Sequence, residues 1–128
     1  MHKAHTSVLT DERGTTLIEF AIIAPVFIGF VVGILYVCMG LFLVGSLHYA
    51  VEEGARCASV RTGSTQSCKD ETGIIAYTKS RFYGPSTTAT FSYAAAACGN
   101  SVSGNVQYVM NLGVSQITIP INVTACFP

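Results

Sequence analysis

From Phe20 to Leu47 the chain runs 28 consecutive residues without an Asp, Glu, Lys or Arg. A helix on the surface of a globular domain needs a polar face, and this stretch has no charged one. As a helix it is about 42 Å long, against a hydrocarbon core of about 30 Å. One membrane span fits, with several residues left over on the far side. The whole chain has 128 residues, enough for one small domain beside that helix but not for two. The run therefore predicts a span over about 20–47, inside an N-terminal helix over 15–60, with a head over 61–128.

Composition narrows the function classes. Half of the residues are apolar and 11% are charged, where about 25% is usual for soluble globular proteins. The seven basic residues balance seven acidic ones and form no cluster. Nucleic acid needs a basic patch or stripe, so it is not an expected partner. Cys57, Cys68, Cys98 and Cys126 follow the apolar run, with no C-x-x-C spacing of a zinc or redox site. Four cysteines in a small polar region predict two disulfides and an oxidising compartment. Three pairings are open to them. Cys38, inside the run, reads as an ordinary apolar residue of the span.

Catalysis has no visible machinery. His2 and His5 precede the apolar helix and His48 sits at its far edge. Glu52 and Glu53 are adjacent and point to different helix faces. No G-x-S-x-G, H-E-x-x-H or phosphate loop is present. The reading is of a non-enzyme with no cofactor, no metal and no small-molecule substrate. Asn122-Val123-Thr124 has the form of a glycosylation sequon and reads as strand.

The first residues, Met1 to Gly14, are short and hydrophilic, and Thr15-Thr16-Leu17-Ile18-Glu19-Phe20 leads into the apolar run. A secretory signal has an apolar core of about 7–15 residues followed by a small-residue cut site. This run is too long for that and predicts a signal-anchor. Glu19 is then anomalous, because a carboxylate near the membrane interior is costly and usually has a task. Gly14 followed by Thr15-Thr16-Leu17-Ile18-Glu19 resembles the type IV prepilin motif: leader, Gly, cut, then Glu at the fifth mature position. The resemblance implies a cytoplasmic leader over 1–14, cleavage between Gly14 and Thr15 by a prepilin peptidase, and a new amine at Thr15. It further implies that Glu19 meets such an amine on a neighbouring subunit. An unpaired charge in an apolar filament core is expensive, so Glu19 would select correctly staggered neighbours.

Other features suit a helix that packs among helices. Pro25 removes a helical hydrogen bond and tends to kink or loosen the turn. Gly29 and Gly33 form a G-x-x-x-G pair, with Gly40 seven residues on along the same face; small residues at this spacing let helices approach closely.

Past the span, Leu47, Val51, Ala55 and Ala58 recur at helical spacing, so the helix should continue as a stem. Glu52 and Arg56 are placed to pair at i,i+4 on its wet face. Residues 61–67 are a loop by composition. Lys69 to Tyr83 predicts a short helix ended by Gly84-Pro85-Ser86. Thr90–Tyr93, Val106–Met110 and Ile117–Thr124 show period-two alternation and predict three strands, with Pro120 on an edge or at a bulge. The fold class is α+β: a long N-terminal transmembrane helix continuing as a stem, packed against a small disulfide-stapled head with a short helix and a three-stranded antiparallel sheet. About 70 residues make a marginal core, which two disulfides at about 2–4 kcal/mol each would compensate.

The stretch Arg13-Gly14-Thr15-Thr16-Leu17-Ile18-Glu19-Phe20-Ala21-Ile22-Ile23-Ala24-Pro25 resembles the TadE-like family of tight-adherence (Flp-type) pilus proteins. Ala50 to Ala58, Ala97-Cys98-Gly99-Asn100 and the ending Ala125-Cys126-Phe127-Pro128 are similar to it as well. The resemblance implies a pilin-like fold and the role of a minor pilin or pseudopilin, processed by prepilin peptidase and needed for pilus production. Its partners would be other pilins and pseudopilins, the inner-membrane assembly platform and membrane lipid. Together with proximity in the chain, the resemblance favours the pairs Cys57–Cys68 and Cys98–Cys126. Thr15 departs from other pilins, which often carry a large apolar residue there, and leaves N-methylation open. Disulfides require the head to be periplasmic or extracellular, so the N-terminus is expected in the cytoplasm. Two alternatives share these features: a type II secretion pseudopilin, and a plain single-pass membrane-anchored periplasmic protein.

Overall fold

The computed structural model describes residues 12–60, 68–84, 89–111 and 113–128; the side chains of 12–15 are not among them. The expected loop 61–67 and the Pro85-Ser86 stop lie outside the described residues, as does most of the expected leader. The chain divides into two compact units, Met1–Val37 and Cys38–Pro128. Helix α1, Glu12–Ser59, contributes to both.

In the second unit the C-terminal part of α1 is the backbone of the core. Leu43, Leu47, Ala50, Val51, Ala55 and Ala58 are buried along one face at i, i+3, i+4 spacing. The head covers them. Helix α2, Glu71–Arg81, starts where Asp70 accepts a hydrogen bond from the Gly73 amide at 3.2 Å. Glu71 in its first turn and Lys79 and Arg81 in its last complement the helix dipole. It is shorter than the expected Lys69–Tyr83, because the Asp70 cap fixes one end and Phe82 turns extended at the other. Ile74 and Thr78 face inward, one turn apart. Phe82 packs edge-on against Phe91, with ring centroids 5.9 Å apart.

Strands β1 (Thr90–Ala96), β2 (Gly99–Asn111) and β3 (Gln116–Phe127) form an antiparallel sheet in that order. All three are longer than their alternation suggested. Ala94–Ala96 and, apart from Val102, Gly99–Asn105 have weak strand preference, and the pairing of β2 with both neighbours holds them extended. Pro120 lies on β3, an edge strand, where a missing amide costs least. Val102 and Val106 point at the stem, with Gly104 between them. A Cβ at Gly104 would sit 2.8 Å from Val51 Cγ2 and 2.9 Å from Leu47 Cδ1, so the bare backbone lets β2 lie close on α1. Each fully buried Leu, Ile or Val here contributes roughly 1.5–3 kcal/mol.

Polar ties close both ends of this packing. The Tyr83 amide donates to Ser46 Oγ at 2.7 Å. At the other end Asn100 Nδ2 donates to Ser59 Oγ at 3.2 Å, and Tyr93 donates to Asn100 Oδ1 at 2.6 Å. The Ser59 hydroxyl lies 3.1 Å from both the Ala55 and Phe127 carbonyls, and its single proton serves one at a time. Cys57 is bonded to Cys68 and Cys98 to Cys126. The first bond ties the end of α1 to the start of α2; the second ties the β1–β2 turn to the end of β3.

Gly54 supplies a test of this packing. In an isolated helix Gly to Ala gains about 1 kcal/mol. Here a Cβ would overlap the Thr78 hydroxyl and crowd Thr78 Cβ at 3.2 Å. That hydroxyl is held by its 2.8 Å bond to the Ile74 carbonyl. Overpacking of this kind costs about 1–3 kcal/mol and outweighs the propensity gain. Gly54→Ala is therefore expected to lower the denaturation midpoint of the head in detergent at unchanged slope. A raised midpoint would contradict the packing.

Candidate assembly surface

Residues 82–128 contain no Asp, Glu, Lys or Arg. Among the described residues no group of three or more His, Cys, Asp and Glu could hold a metal. The outward sheet face carries a shallow hollow of about 230 Å³ lined by Thr90, Ser92, Ser103, Asn105, Asn122 and Thr124. Its side chains pair with each other: Ser103 with Thr124 at 2.9 Å, and Asn105 Nδ2 with Asn122 Oδ1. Asn122 and Thr124 of the sequon-like triplet are thus part of a hydrogen-bonded strand face. His48 is exposed on the stem, and His2 and His5 lie outside the described residues.

The charged residues of the stem arrange differently from expectation. Arg56 pairs with Glu53 at 3.9 Å, not with Glu52. The physical reason is Phe127 at the end of β3: the guanidinium carbon stands 5.6 Å from its ring centroid and is drawn to that side of the helix. With side chains 63% and 29% exposed, this ion pair stabilises little.

The unusual surface is the helix of the first unit. Leu17, Phe20, Phe27, Phe30 and Leu35 are each 62–72% exposed. Val26, Phe27 and Ile28 are successive, about 100° apart around the axis, and all are exposed, so apolar surface encircles the helix. From Thr16 onward it contains a membrane-length apolar window of mean hydropathy 2.6, of which 6% is buried. Such a helix is compatible with a membrane anchor.

The residues singled out in the sequence lie along it. The Gly14–Thr15 bond falls in its first turn. Glu19 is exposed and, among the described residues, takes no hydrogen bond or ion pair. The helix continues through Pro25 instead of ending there, leaving the Ala21 carbonyl without an amide at residue 25. A Cβ on Gly29 or Gly33 would meet nothing within 4 Å, so the two form an open notch one turn apart. Gly40 is not part of an open notch, because the Tyr108 ring packs 3.4 Å from its would-be Cβ. Cys38 is a free, exposed thiol.

The family model described as TadE-like protein matches residues 14–56. That is about a third of the chain and covers the apolar helix and most of the stem; the sheet and α2 fall outside it. No curated protein and no solved structure matches the chain. The matched stretch contains Glu19, Pro25, Gly29 and Gly33 and supports a pilus-associated, pilin-like protein. Residues 14–56 form a TadE-like segment, and over that stretch the chain is consistent with the TadE-like pilin family.

Proposed function

We propose that this chain is a minor pilin or pseudopilin of a tight-adherence pilus, made as a prepilin and cut after Gly14. The observation that carries the reading is an exposed Glu19 at the edge of a helix that is apolar on every side, inside the TadE-like segment. Residues 1–14 act as a cytoplasmic leader, α1 crosses the inner membrane once, and the disulfide-bonded head lies in the periplasm. Cleavage by prepilin peptidase leaves the helix in the membrane and creates an amine at Thr15. When subunits leave lipid and pack, Glu19 accepts that amine from a neighbour, because an unpaired carboxylate among apolar helices costs several kcal/mol. The Gly29 and Gly33 notch admits an adjacent helix. Pro25 loosens the turn where helices must adjust. Partners are the peptidase, other pilins and the membrane assembly platform.

The test is complementation of a strain lacking this chain. Wild-type chain is expected to restore surface pili, and Gly14→Val, which blocks the cut, is not. Pili restored equally by both would overturn the proposal.

A further inference from the structure

The register of β2 along the stem fixes where the β2–β3 hairpin ends. Asn100 bonds to Ser59, a Cβ at Gly104 would touch Leu47 and Val51, and the Tyr108 ring packs on Gly40. Four strand residues advance about 13 Å and so do about nine helix residues, so β2 runs antiparallel along α1 with little drift. Its direction is toward the apolar end of the stem. Val114 lies six residues beyond Tyr108, in the connection that turns the hairpin back, and is 99% exposed. The pairs Tyr108↔Ile119 and Met110↔Ile117 place these side chains on the sheet face that also carries Val102 and Val106. Ile117 and Ile119 are each 43% exposed although they lie on the core side of the sheet.

At this same end of the unit the helix exposes Cys38, Met39, Leu41 and Phe42. Each element thus exposes apolar side chains at this rim of the unit, in a head whose last 47 residues carry no charged side chain. The outward polar face of Thr90, Ser92, Ser103 and Asn122 has the opposite character.

We propose that the hairpin end is a membrane-contact loop, with Val114, Ile117 and Ile119 seated at the boundary of headgroups and acyl chains beside the point where α1 leaves the bilayer. Lipid is the occupant because the helix at this end of the same unit also exposes apolar side chains, Cys38, Met39, Leu41 and Phe42, inside the charge-free run. Amphipathic or apolar segments at this depth bind through buried apolar area. Contact with lipid would hold the head upright and close to the membrane before assembly, and it would be surrendered on entry into a filament. The proposal rests on the membrane reading of α1.

The chain has no tryptophan, so single-tryptophan variants report without background. Full-length Val114→Trp, Ile28→Trp and Ser92→Trp chains would be reconstituted in phosphatidylcholine vesicles with lipids brominated either high or deep along the acyl chain. The expected result is blue-shifted Val114→Trp emission quenched by the shallow bromines, Ile28→Trp quenched by the deep ones, and Ser92→Trp unquenched. If Val114→Trp behaves like Ser92→Trp while Ile28→Trp is quenched, the hairpin proposal fails and the anchor stands. If Ile28→Trp is also unquenched, the anchor reading fails first. A blue-shifted but unquenched Val114→Trp means that another copy covers the rim, and this too overturns the proposal.

Discussion

Surface pili are expected to disappear when Glu19 is replaced by Ala, while cleavage after Gly14 continues. On the proposed reading the two outcomes separate, because the peptidase would act at the start of α1, whereas the carboxylate would be needed only once helices pack. In the isolated chain Glu19 is exposed and, among the described residues, unpaired, so its removal should leave the monomer intact. The competing arrangement is a pair within one chain, since the Thr15 amine would lie one turn before Glu19 on the same helix. Such a pair is worth a few tenths of a kcal/mol and does not select neighbours. Pairing between chains in an apolar core is worth several times more, since the alternative is a buried, uncompensated charge. Glu19→Gln separates charge from shape: it keeps the volume and a hydrogen-bonding carbonyl but should still fail to assemble. Counting pili by electron microscopy and following processing by mass on the same cells decides the matter. Normal pili with Glu19→Ala would contradict the intersubunit role.

The second large effect concerns the head. Loop closure in the unfolded chain gives about 2.8 kcal/mol for a bond spanning 11 residues and about 3.6 kcal/mol for one spanning 28, at 25 °C. Together they amount to about 6 kcal/mol, against the total of about 5–15 kcal/mol typical of folded domains. A head of this size has a core of few large side chains, with Leu43, Leu47, Val51, Ile74, Val102 and Val106 at its centre. Replacing all four bonded cysteines by Ser should therefore leave the head largely unfolded in detergent at 37 °C, as read by tyrosine near-ultraviolet dichroism. The paired variants should rank in order, with loss of Cys98–Cys126 costing more than loss of Cys57–Cys68. Four-Ser chains that melt like the wild type would contradict this.

Much of the architecture could be read directly from residues. A run of 28 uncharged positions has few physical solutions, and the face of Leu47, Val51, Ala55 and Ala58 announced the stem that the head covers. The alternating cores of the three strands were visible where β-branched residues supplied them. The strand extensions were not, because Ala94–Ala96 and, Val102 aside, Gly99–Asn105 carry residues whose own preferences point elsewhere and which pairing holds extended. Gly104 in particular looks like a break in a strand and is instead a place where the sheet lies close on the helix. The Arg56 partner was misjudged because the Phe127 ring that positions it lies 71 residues away in sequence. That a Cβ on Gly29 or Gly33 would meet open space fits their G-x-x-x-G spacing, whereas the packing of Gly40 depends on Tyr108 and hence on the register of β2.

The most direct test of a prepilin-type subunit is the N-terminal mass of the membrane-extracted chain, measured in cells with and without the prepilin peptidase. A chain beginning at Thr15 only when the peptidase is present is the result expected. A chain beginning at Met1 in both would contradict the account and leave α1 as a plain membrane anchor.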